Sequence, residues 1–340
     1  MPVTRLLHPA RLAAVLAGLF VAVLVVLYLV PSNDYVLLPD TAHPVAPLVK
    51  VQGGREPKGP GAIYFVDVFE RRASLLERLF PWIRTGATLV PASDIVPPGV
   101  SDSQQRQADL EEMTTSQKVA AAVALRKLGY DVVAKPNGVI VDTIVLGTHA
   151  PGKLEPSDRI VSVDGVPTMT VEKLRVELAK AKPGDVVTLG VVRGGKPLTV
   201  KVETVADPAD PSRGIIGIGP DQSADIKLPI KVSIDAGGVG GPSAGLAFAL
   251  QVMEELGKNV DRGYRVAATG QMELNGAVSP IGGVKQKTFG VRKAKADVFL
   301  VPAGDNAAAA RRYAHGLRII AVKSFQQALH ALATLPRKRT

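Results

Sequence analysis

The most apolar stretch of the chain lies near its N-terminus. No charged residue occurs from Leu12 to Val30, and a helix of that length covers about 28 Å, close to the roughly 30 Å hydrocarbon core of a bilayer. Arg5 and Arg11 precede this stretch, and basic flanking residues stay on the cytoplasmic side of a membrane. The pattern predicts a transmembrane segment at 12–31, with the N-terminus in the cytoplasm and the rest of the chain outside.

A cleaved signal peptide is the alternative to a retained anchor. It would have a shorter apolar core, followed by a cleavage site with small residues. Positions 28–32 read Tyr-Leu-Val-Pro-Ser and supply no such site. We therefore expect the anchor to be retained.

Beyond the anchor, short strand patterns alternate with helical ones. Residues 32–62 are rich in Pro and Gly, which is typical of a linker that becomes extended. β-Branched and aromatic residues predict a buried strand over 62–68. Apolar spacing predicts a short helix over 73–80 and a long helix over 103–128 that ends at Gly129.

The middle of the chain has the two-residue alternation of a β-rich module. Turns with Asp-Gly at 164–165 and Gly-Gly at 194–195 separate its strands. The predicted strands cover 139–145, 160–163, 186–193 and 197–204, and a predicted helix covers 171–181.

The residue pattern in the last third of the chain predicts two transitions from strand to helix. Residues 226–234 alternate as a strand and lead through a glycine-rich loop into an apolar helical run over 246–256. Residues 266–287 indicate a strand, a hairpin turn at 275–276 and a Gly-Gly turn that opens a lysine-bearing helix.

The composition of the chain excludes several kinds of functional site. The 340 residues suit two modest domains plus an anchor. The chain has no cysteine, which excludes a disulfide framework, a thiolate metal site and a cysteine nucleophile. The net charge of +10 is spread along the chain apart from the tail at 336–340, and no aromatic residues interleave with it. We therefore expect no nucleic-acid partner, and any nucleophile must be Ser, Thr or Lys.

The β-rich module resembles a PDZ domain of the kind found in bacterial envelope proteases, over about residues 130–205. The motifs that carry the resemblance are Gly138-Val139-Ile140-Val141, Ala150-Pro151-Gly152-Lys153-Leu154, Ser157-Asp158-Arg159-Ile160, Val163-Asp164-Gly165 and Pro183-Gly184. The resemblance implies that a peptide adds as a strand beside Gly138, Val139, Ile140 and Val141. The alternative is a module that only spaces its neighbours, since the usual carboxylate-binding loop is not obvious.

Ser243 lies where the glycine-rich loop meets the helical run, in the sequence Gly-Gly-Pro-Ser-Ala-Gly at 240–245. A serine at such a turn is exposed and close to backbone N–H groups that lack helical acceptors, as an oxyanion requires. The alternative is that Ser243 only caps the helix. This segment alone leaves both interpretations open.

A second segment favours the catalytic interpretation. Residues 266–287 contain Thr-Gly-Gln and Gly-Gly-Val-Lys-Gln-Lys, which follow Gly-Pro-Ser-Ala-Gly in the order expected of one family. Together these motifs resemble the proteolytic domain of the Lon family. The resemblance implies a serine endopeptidase with Ser243 as nucleophile and Lys287, not Lys285, as its general base.

The resemblance also implies supporting residues. Thr269 is expected near the lysine. From the position of the turn itself, we expect the backbone N–H groups of Ser243 and of a neighbour in the Gly240-Gly241 turn to bind the oxyanion. The sequence departs from the family at Gly240, where an Asp often stands, and at Gln271, where the family has Glu. These departures leave the Ser-Lys dyad intact.

A lysine acts as a base only when it is unprotonated. Its ordinary pKa of about 10.4 must fall by roughly 3 units, or about 4 kcal/mol, which burial can supply. Phe289, Val291 and Ala294 on the same predicted helix offer apolar surroundings. Lys287 would then take the hydroxyl proton as Ser243 attacks a peptide carbonyl, giving an acyl-enzyme that water hydrolyses.

The sequence predicts neither a cofactor nor a metal. It has no Gly-x-x-x-x-Gly-Lys-Ser/Thr loop, so the ATPase that drives cytoplasmic Lon is missing. None of the five histidines is near either motif in sequence, and no spacing of histidine and carboxylate indicates a metal site. A small-molecule kinase is one alternative, because glycine-rich loops at helix starts also bind phosphate. Scarcity of ATP outside the cytoplasm argues against it.

The predicted fold class is α+β, with the PDZ module inserted into a Lon-type domain of the ribosomal protein S5 domain 2-like fold. Residues 113–117, Met-Thr-Thr-Ser-Gln, fit a helix signature that precedes the serine strand in Lon-type domains. The chain is thus similar to PDZ-containing, membrane-anchored Lon-like proteases of Gram-positive and actinobacterial type. The expected parts are a cytoplasmic tail at 1–11, an anchor at 12–31, a linker and first protease part at 32–129, the PDZ domain at 130–205, the catalytic part at 206–335 and a basic tail at 336–340.

The expected partners are protein or peptide substrates and the membrane, and a homo-oligomer is left open. The main functional alternative is a catalytically silent PDZ scaffold that binds peptides at the membrane. The sequence does not reveal the substrate, the cleavage preference, or whether PDZ binding activates or inhibits.

Overall fold

The computed structural model describes residues 9–55, 57, 59–97 and 100–338. Arg5 and most of the predicted tail at 1–11 lie outside the described residues, as do the last two positions of the basic tail at 336–340.

The described residues form short strands and helices in alternation. The helices are α1 (Pro9–Leu29), α2 (Leu75–Leu79), α3 (Asp102–Lys127), α4 (Val171–Leu178), α5 (Gly245–Glu255), α6 (Val284–Lys293), α7 (Asp305–Arg312) and α8 (Phe325–Ala333). The strands are β1 (Pro31–Pro39), β2 (His43–Pro44), β3 (Val49–Val51), β4 (Ala62–Phe65), β5 (Val68–Ser74), β6 (Thr88–Pro91), β7 (Val133–Ile144), β8 (Arg159–Val163), β9 (Val166–Pro167), β10 (Val186–Arg193), β11 (Lys196–Glu203), β12 (Val205–Asp207), β13 (Asp210–Ile215), β14 (Ile218–Lys227), β15 (Val232–Ile234), β16 (Arg265–Ala268), β17 (Gln271–Met272), β18 (Val278–Ser279), β19 (Val298–Pro302) and β20 (Arg318–Val322). Turns of 3-10 helix cover Ala46–Leu48, Pro81–Ile83, Ala92–Asp94 and Pro242–Ala244.

The chain divides into two compact units. The first comprises Met1–Pro39 and Val68–Ile95, and it contains α1 and an antiparallel sheet in the order β5-β1-β6. In α1, the segment Ala10–Leu29 is long and apolar enough to cross a membrane, and none of it is buried. The predicted apolar helix is therefore confirmed.

The second unit comprises Asp40–Asp67 and Val96–Thr340, and its central sheet has the order β2-β4-β16-β19-β20. The four strands from β4 to β20 run parallel. Alternate residues of β16 and β19 point to opposite faces, so that Leu300 packs with α5 while Phe299 packs with α6 and α7. Helices thus cover both faces of this sheet, and the parallel strands carry their following residues to one edge.

The long predicted helix is confirmed as α3. It starts at a capping box in which Ser101 and Gln104 bond reciprocally, and it ends before Gly129, whose φ of +86° suits a left-handed C-terminal position. Although α3 precedes the β-rich module and α5 follows it, both helices contribute to one hydrophobic core. The sequence segments on either side of the module are therefore packed together.

The β-rich module forms an antiparallel sheet in the order β11-β10-β8-β7-β14, with its own core around Val141, Leu189 and Leu174 of α4. The sequence predicted one strand over 226–234, whereas the structure has β14 ending at Lys227 and β15 starting at Val232. Pro229 lacks a backbone N–H and interrupts the ladder between them. One edge strand of the module, β14, thus comes from residues beyond 205.

Candidate active site

Ser243 sits in the 3-10 turn that leads into α5, as the sequence predicted for a loop-to-helix transition. Two hydrogen bonds between this turn and α3 hold it in place. The Gly241 N–H donates to the Asp109 carbonyl (2.7 Å), and the Ser116 hydroxyl donates to the Pro242 carbonyl (2.9 Å). The position of the serine therefore depends on a helix that is distant in sequence.

Gly240 packs directly on α3. A Cβ at this position would lie 2.7 Å from the Asp109 Cβ, closer than side-chain carbons approach one another. The departure from the family pattern thus has a steric cause, because the neighbouring helix leaves no room for a side chain. The Asp109 carboxyl accepts a hydrogen bond from Gln105 (2.8 Å), and burial raises its pKa.

Lys287 reaches Ser243 from the first turns of α6. Only 4% of Lys287 is exposed, and its Nζ lies 2.5 Å from Ser243 Oγ and 3.3 Å from Thr269 Oγ1. Thr269 follows β16, is fully buried, and donates its hydroxyl hydrogen bond to the Ser243 carbonyl (3.1 Å). The structure thus brings the serine, the lysine and the threonine together.

Lys285 takes a different direction from the same helix. Its Nζ lies 5.9 Å from the centroid of the Tyr313 ring. The Phe289 ring also faces Tyr313, at 5.9 Å between centroids, while Val291 and Ala294 are buried in the core beneath α6. Of the two lysines in the motif, Lys287 is therefore the one beside Ser243.

The predicted oxyanion donors are not equivalent in the structure. Ser243 lies in the first turn of a helix, where backbone N–H groups lack helical acceptors. The Gly241 N–H is engaged with Asp109, whereas the Gly240 N–H has no acceptor among the described residues. Of the predicted pair, Gly240 is thus the one with an N–H to offer.

Sequence reasoning missed Asp67, which interacts electrostatically with Lys287. Burial and the Asp40 carboxylate raise the pKa of Asp67, while His43 and Lys287 act in the opposite direction. Asp67 follows β4, which pairs in parallel with β16 just before Thr269. A carboxylate near the end of the predicted buried strand over 62–68 was the available signal.

Asp67, Asp40 and His43 also form a group whose ligand atoms lie within 4.8 Å of one another, as a metal site would require. The sequence predicted no metal site, because His43 and Asp67 are far apart along the chain. Pairing of β2 with β4 places His43 opposite Phe65 and brings the three together. Two of them, Asp40 and His43, are largely open to solvent.

An acidic cleft of about 120 Å³ adjoins the serine turn, lined by Pro242, Ser116 and Met272 together with carboxyl groups. The carboxyl groups belong to Glu111 and Glu112 of α3, Asp142 of β7, Asp221 of β14 and Glu273 after β17. Burial, reinforced by the neighbouring acids, raises the pKa of Glu112 to about 8.

The acidic surroundings of Gln271 explain why an amide stands where the family has glutamate. Its amide Nε2 lies 3.4 Å from an Asp221 carboxylate oxygen. A glutamate at this position would instead face Asp221 and Glu273 with a further negative charge. The amide is thus suited to the acidic cleft.

The predicted peptide-binding residues Gly138, Val139, Ile140 and Val141 all lie in β7. In the structure β8 pairs with one edge of β7 at Val139 and Ile140, and β14 pairs with the other along 133–144. No open edge remains there for an added strand. The outer strands of this sheet are β11 and β14, and no described strand pairs with the far side of either.

Gln222 links β14 to the start of α4. Its side-chain oxygen accepts from the Val171 N–H (3.2 Å), and its Nε2 donates to the Met169 carbonyl (3.0 Å). Gln222 therefore ties β14 to the segment that starts α4, a helix that packs across β7, β8 and β14.

Comparison with known proteins agrees with both resemblances. Residues 214–334 match the Lon protease (S16) C-terminal proteolytic domain, and residues 126–204 match the PDZ domain. The chain thus carries a Lon-type proteolytic domain and a PDZ domain, and the predicted α+β class is confirmed.

The similar curated proteins are Lon proteases. Lon protease 2 of Bacillus subtilis is 35% identical over 116 residues, which are 34% of this chain and 20% of that protein. Lon protease 1 of the same organism is 29% identical over 154 residues, 44% of this chain and 20% of that protein. The chain thus spans about a fifth of the length of these relatives.

Among solved structures, the PDZ domain of the SdrC-like protein from Listeria monocytogenes is similar to part of the chain. It is 24% identical, covers 25% of this chain and 87% of its own, and has a TM-score of 0.23.

Proposed function

We propose that this chain is an ATP-independent serine endopeptidase that α1 anchors in the cell membrane, with its catalytic part outside the cytoplasm. The observation that carries the proposal is the 2.5 Å separation of Lys287 Nζ and Ser243 Oγ within a region that matches a Lon-type proteolytic domain. In this proposal Ser243 is the nucleophile and Lys287 is its base.

The reaction follows from this geometry. The Lys287 amine takes the hydroxyl proton as Ser243 Oγ bonds to the carbonyl carbon of the substrate, and the N–H groups of Ser243 and Gly240 stabilise the resulting oxyanion. The leaving amine receives the proton back as the C–N bond breaks, which leaves an acyl-enzyme. Water then attacks the ester, with Lys287 accepting its proton, and Ser243 is regenerated. Thr269 holds the serine carbonyl and the lysine at the required separation.

The protonation state of Lys287 is central to the mechanism. Its 4% exposure disfavours the charged ammonium. A negative charge on Asp67 would have the opposite effect, but the raised pKa of Asp67 moves that carboxyl toward its neutral form. Both features support an unprotonated lysine.

The PDZ region is proposed to bind peptide segments of substrates or regulators. The unpaired far side of β14, an outer strand of this sheet, supports addition of a peptide strand there, whereas addition beside Gly138–Val141 would first require β14 to leave β7. The packing of α3 on α5 supports the proposed insertion of this region within the protease domain.

Labelling with a fluorophosphonate probe and hydrolysis of an unfolded protein substrate test the activity. We expect both to be lost in Ser243→Ala and Lys287→Ala and largely retained in Lys285→Ala, the matched control from the same helix. Equal loss in both lysine variants would contradict the assignment of the base. A wild-type chain that neither labels nor cleaves would favour the catalytically silent PDZ scaffold.

The absence of cysteine offers a test of topology. A single cysteine at the exposed position of Ser93 should react with a membrane-impermeant maleimide in intact cells. Labelling only after lysis would place this part of the chain in the cytoplasm and overturn the proposed location.

A further inference from the structure

An apolar patch of unusual exposure lies at the end of α2. It consists of Leu79, Phe80, Trp82 and Ile83, which are 55%, 37%, 74% and 53% exposed. The Phe80 and Trp82 rings meet edge to face with centroids 5.4 Å apart. Four large apolar side chains within five residues form a contiguous surface, and such surfaces mark contact with a protein or a membrane.

The sequence explains why this patch points outward. A capping box between Ser74 and Glu77 starts α2. The helix stops after Leu79, because Pro81 disfavours a helical Phe80, and the chain continues as a 3-10 turn. The inner side of the helix is fixed by Glu77, which is 4% exposed and accepts hydrogen bonds from Arg71 (2.6 Å) and Arg84 (2.8 Å).

The patch lies close to the end of the apolar helix α1. The Leu75 N–H donates to the Val30 carbonyl (2.9 Å), and α2 packs against α1. From Leu75 the chain needs on the order of 15 Å at most to reach Trp82. A membrane crossed by α1 would therefore have its surface layer at the level of this patch.

Charge around the patch is also suited to a membrane surface. Residues 68–84 contain four arginines and two carboxylates. The hydrogen bond from Arg71, helped by those from the Ser74 backbone and Arg84, lowers the pKa of Glu77 to about 2 against the opposing effect of burial. The remaining arginines, Arg72 and Arg78, are exposed, although Arg72 lies over the Tyr35 ring and Arg78 pairs with Asp34. Arginine near lipid phosphates is favourable.

We propose that Leu79, Phe80, Trp82 and Ile83 enter the headgroup layer of the bilayer beside α1 and form a second membrane contact. The occupant is lipid, because the patch continues from the end of an apolar helix and combines Trp and Phe with arginine, as residues at membrane interfaces do. The inference rests on the proposed anchoring by α1. Its consequence is that the first unit is held at the membrane by two elements instead of one.

Trp82 reports on its own environment, because it is the single tryptophan of the chain. The full chain is reconstituted in vesicles of phosphatidylcholine and phosphatidylglycerol, with and without acyl-brominated phosphatidylcholine. We expect the Trp82 emission to be blue-shifted, quenched by the brominated lipid, and several-fold less sensitive to iodide than an exposed tryptophan.

The same sheet supplies a matched control. Phe69 is 56% exposed and pairs with Leu38, whereas Pro31 pairs with Ser74 at the anchor end. Five residues of β5 separate Phe69 from Ser74, a distance of roughly 17 Å. In the double variant Trp82→Phe, Phe69→Trp the reporter should stay accessible to iodide and unquenched by brominated lipid.

Three other outcomes are possible, and each would refute the proposal for a different reason. Vesicles that float without the chain would refute anchoring by α1 and the patch with it. A chain that floats but leaves Trp82 as accessible as the tryptophan at position 69 would refute the patch alone and leave the anchor standing. Protection from iodide without quenching by brominated lipid would mean that protein covers the patch, either a second copy or another partner. Fluorophosphonate labelling of Ser243 is independent of all three.

Discussion

The close contact between Gly240 and α3 allows us to predict how much a side chain at position 240 would destabilise the protein. In Gly240→Ala the new Cβ would lie 2.7 Å from the Asp109 Cβ and 3.3 Å from its carbonyl carbon. The backbone of Gly240 is not left-handed, so the effect is steric. Overpacking of this kind destabilises by about 1–3 kcal/mol. Because the same segment of α3 accepts the Gly241 hydrogen bond, relief of the clash should also displace Ser243.

A double-mutant cycle separates this contact from other effects. Asp109→Gly removes the opposing Cβ, and its own cost in helix propensity is only about 0.3 kcal/mol, because aspartate is already a poor helix former. If the two carbons clash, the double variant should be more stable than the sum of the single changes implies, by about 1–3 kcal/mol. Thermal unfolding gives the stabilities, and the rate of fluorophosphonate labelling reports on the serine.

The control is Gly238→Ala in the same loop, where the nearest atom to a new Cβ is the flexible end of Arg106 at 3.4 Å. We expect little change in stability or labelling for this variant. Single effects of Gly240→Ala and Asp109→Gly that add within about 0.5 kcal/mol would refute the reasoning.

Three further predictions concern the dyad and the acidic cleft. Turnover should rise with pH as Lys287 loses its proton, and a flat profile between about pH 6 and 9 would contradict its role as base. Thr269→Val should reduce turnover about tenfold, equivalent to ~1.4 kcal/mol, through loss of a buried hydrogen bond; unchanged kinetics would exclude a positioning role. Because the pKa of Glu112 is raised from 4.5 to about 8, the folded chain retains this proton while the unfolded chain loses it, so stability falls as pH rises through that range. Glu112→Gln should therefore raise the unfolding temperature at pH 8 more than at pH 5, and equal shifts would contradict the burial of this charge.

The sequence predicted those parts of the site that depend on local signals. Ser243 and Lys287 each occupy the start of a helix after a glycine-rich turn, and glycine, serine and helical periodicity are legible within a few residues. The apolar spacing over 103–128 likewise predicted α3 to within one residue at each end. Thr269, which the family motif places near the lysine, follows β16 of the central sheet and lies beside Lys287.

The parts that the sequence did not predict depend on contacts between distant segments. Asp67 reaches the lysine only because β4 pairs with β16, and His43 joins it through the pairing of β2 with β4. Similarly, the alternation over 226–234 suggested one strand, but Pro229 separates β14 from β15. The sequence did not indicate that β14 would pair with β7 and form an edge of the PDZ sheet. Periodicity describes which side of a strand is buried, but it does not identify the partner strand.

The pairing of β4 with β16 also determines when the site can form. The paired residues Ala62 and Arg265 are separated by about 200 positions, and contacts of such high order form slowly. The strand that precedes Asp67 must therefore wait for the rest of the central sheet to be synthesised. Ser243 and Lys287 meet only once nearly the whole chain is available, so a nascent or truncated chain has no assembled dyad with which to cut itself or its neighbours.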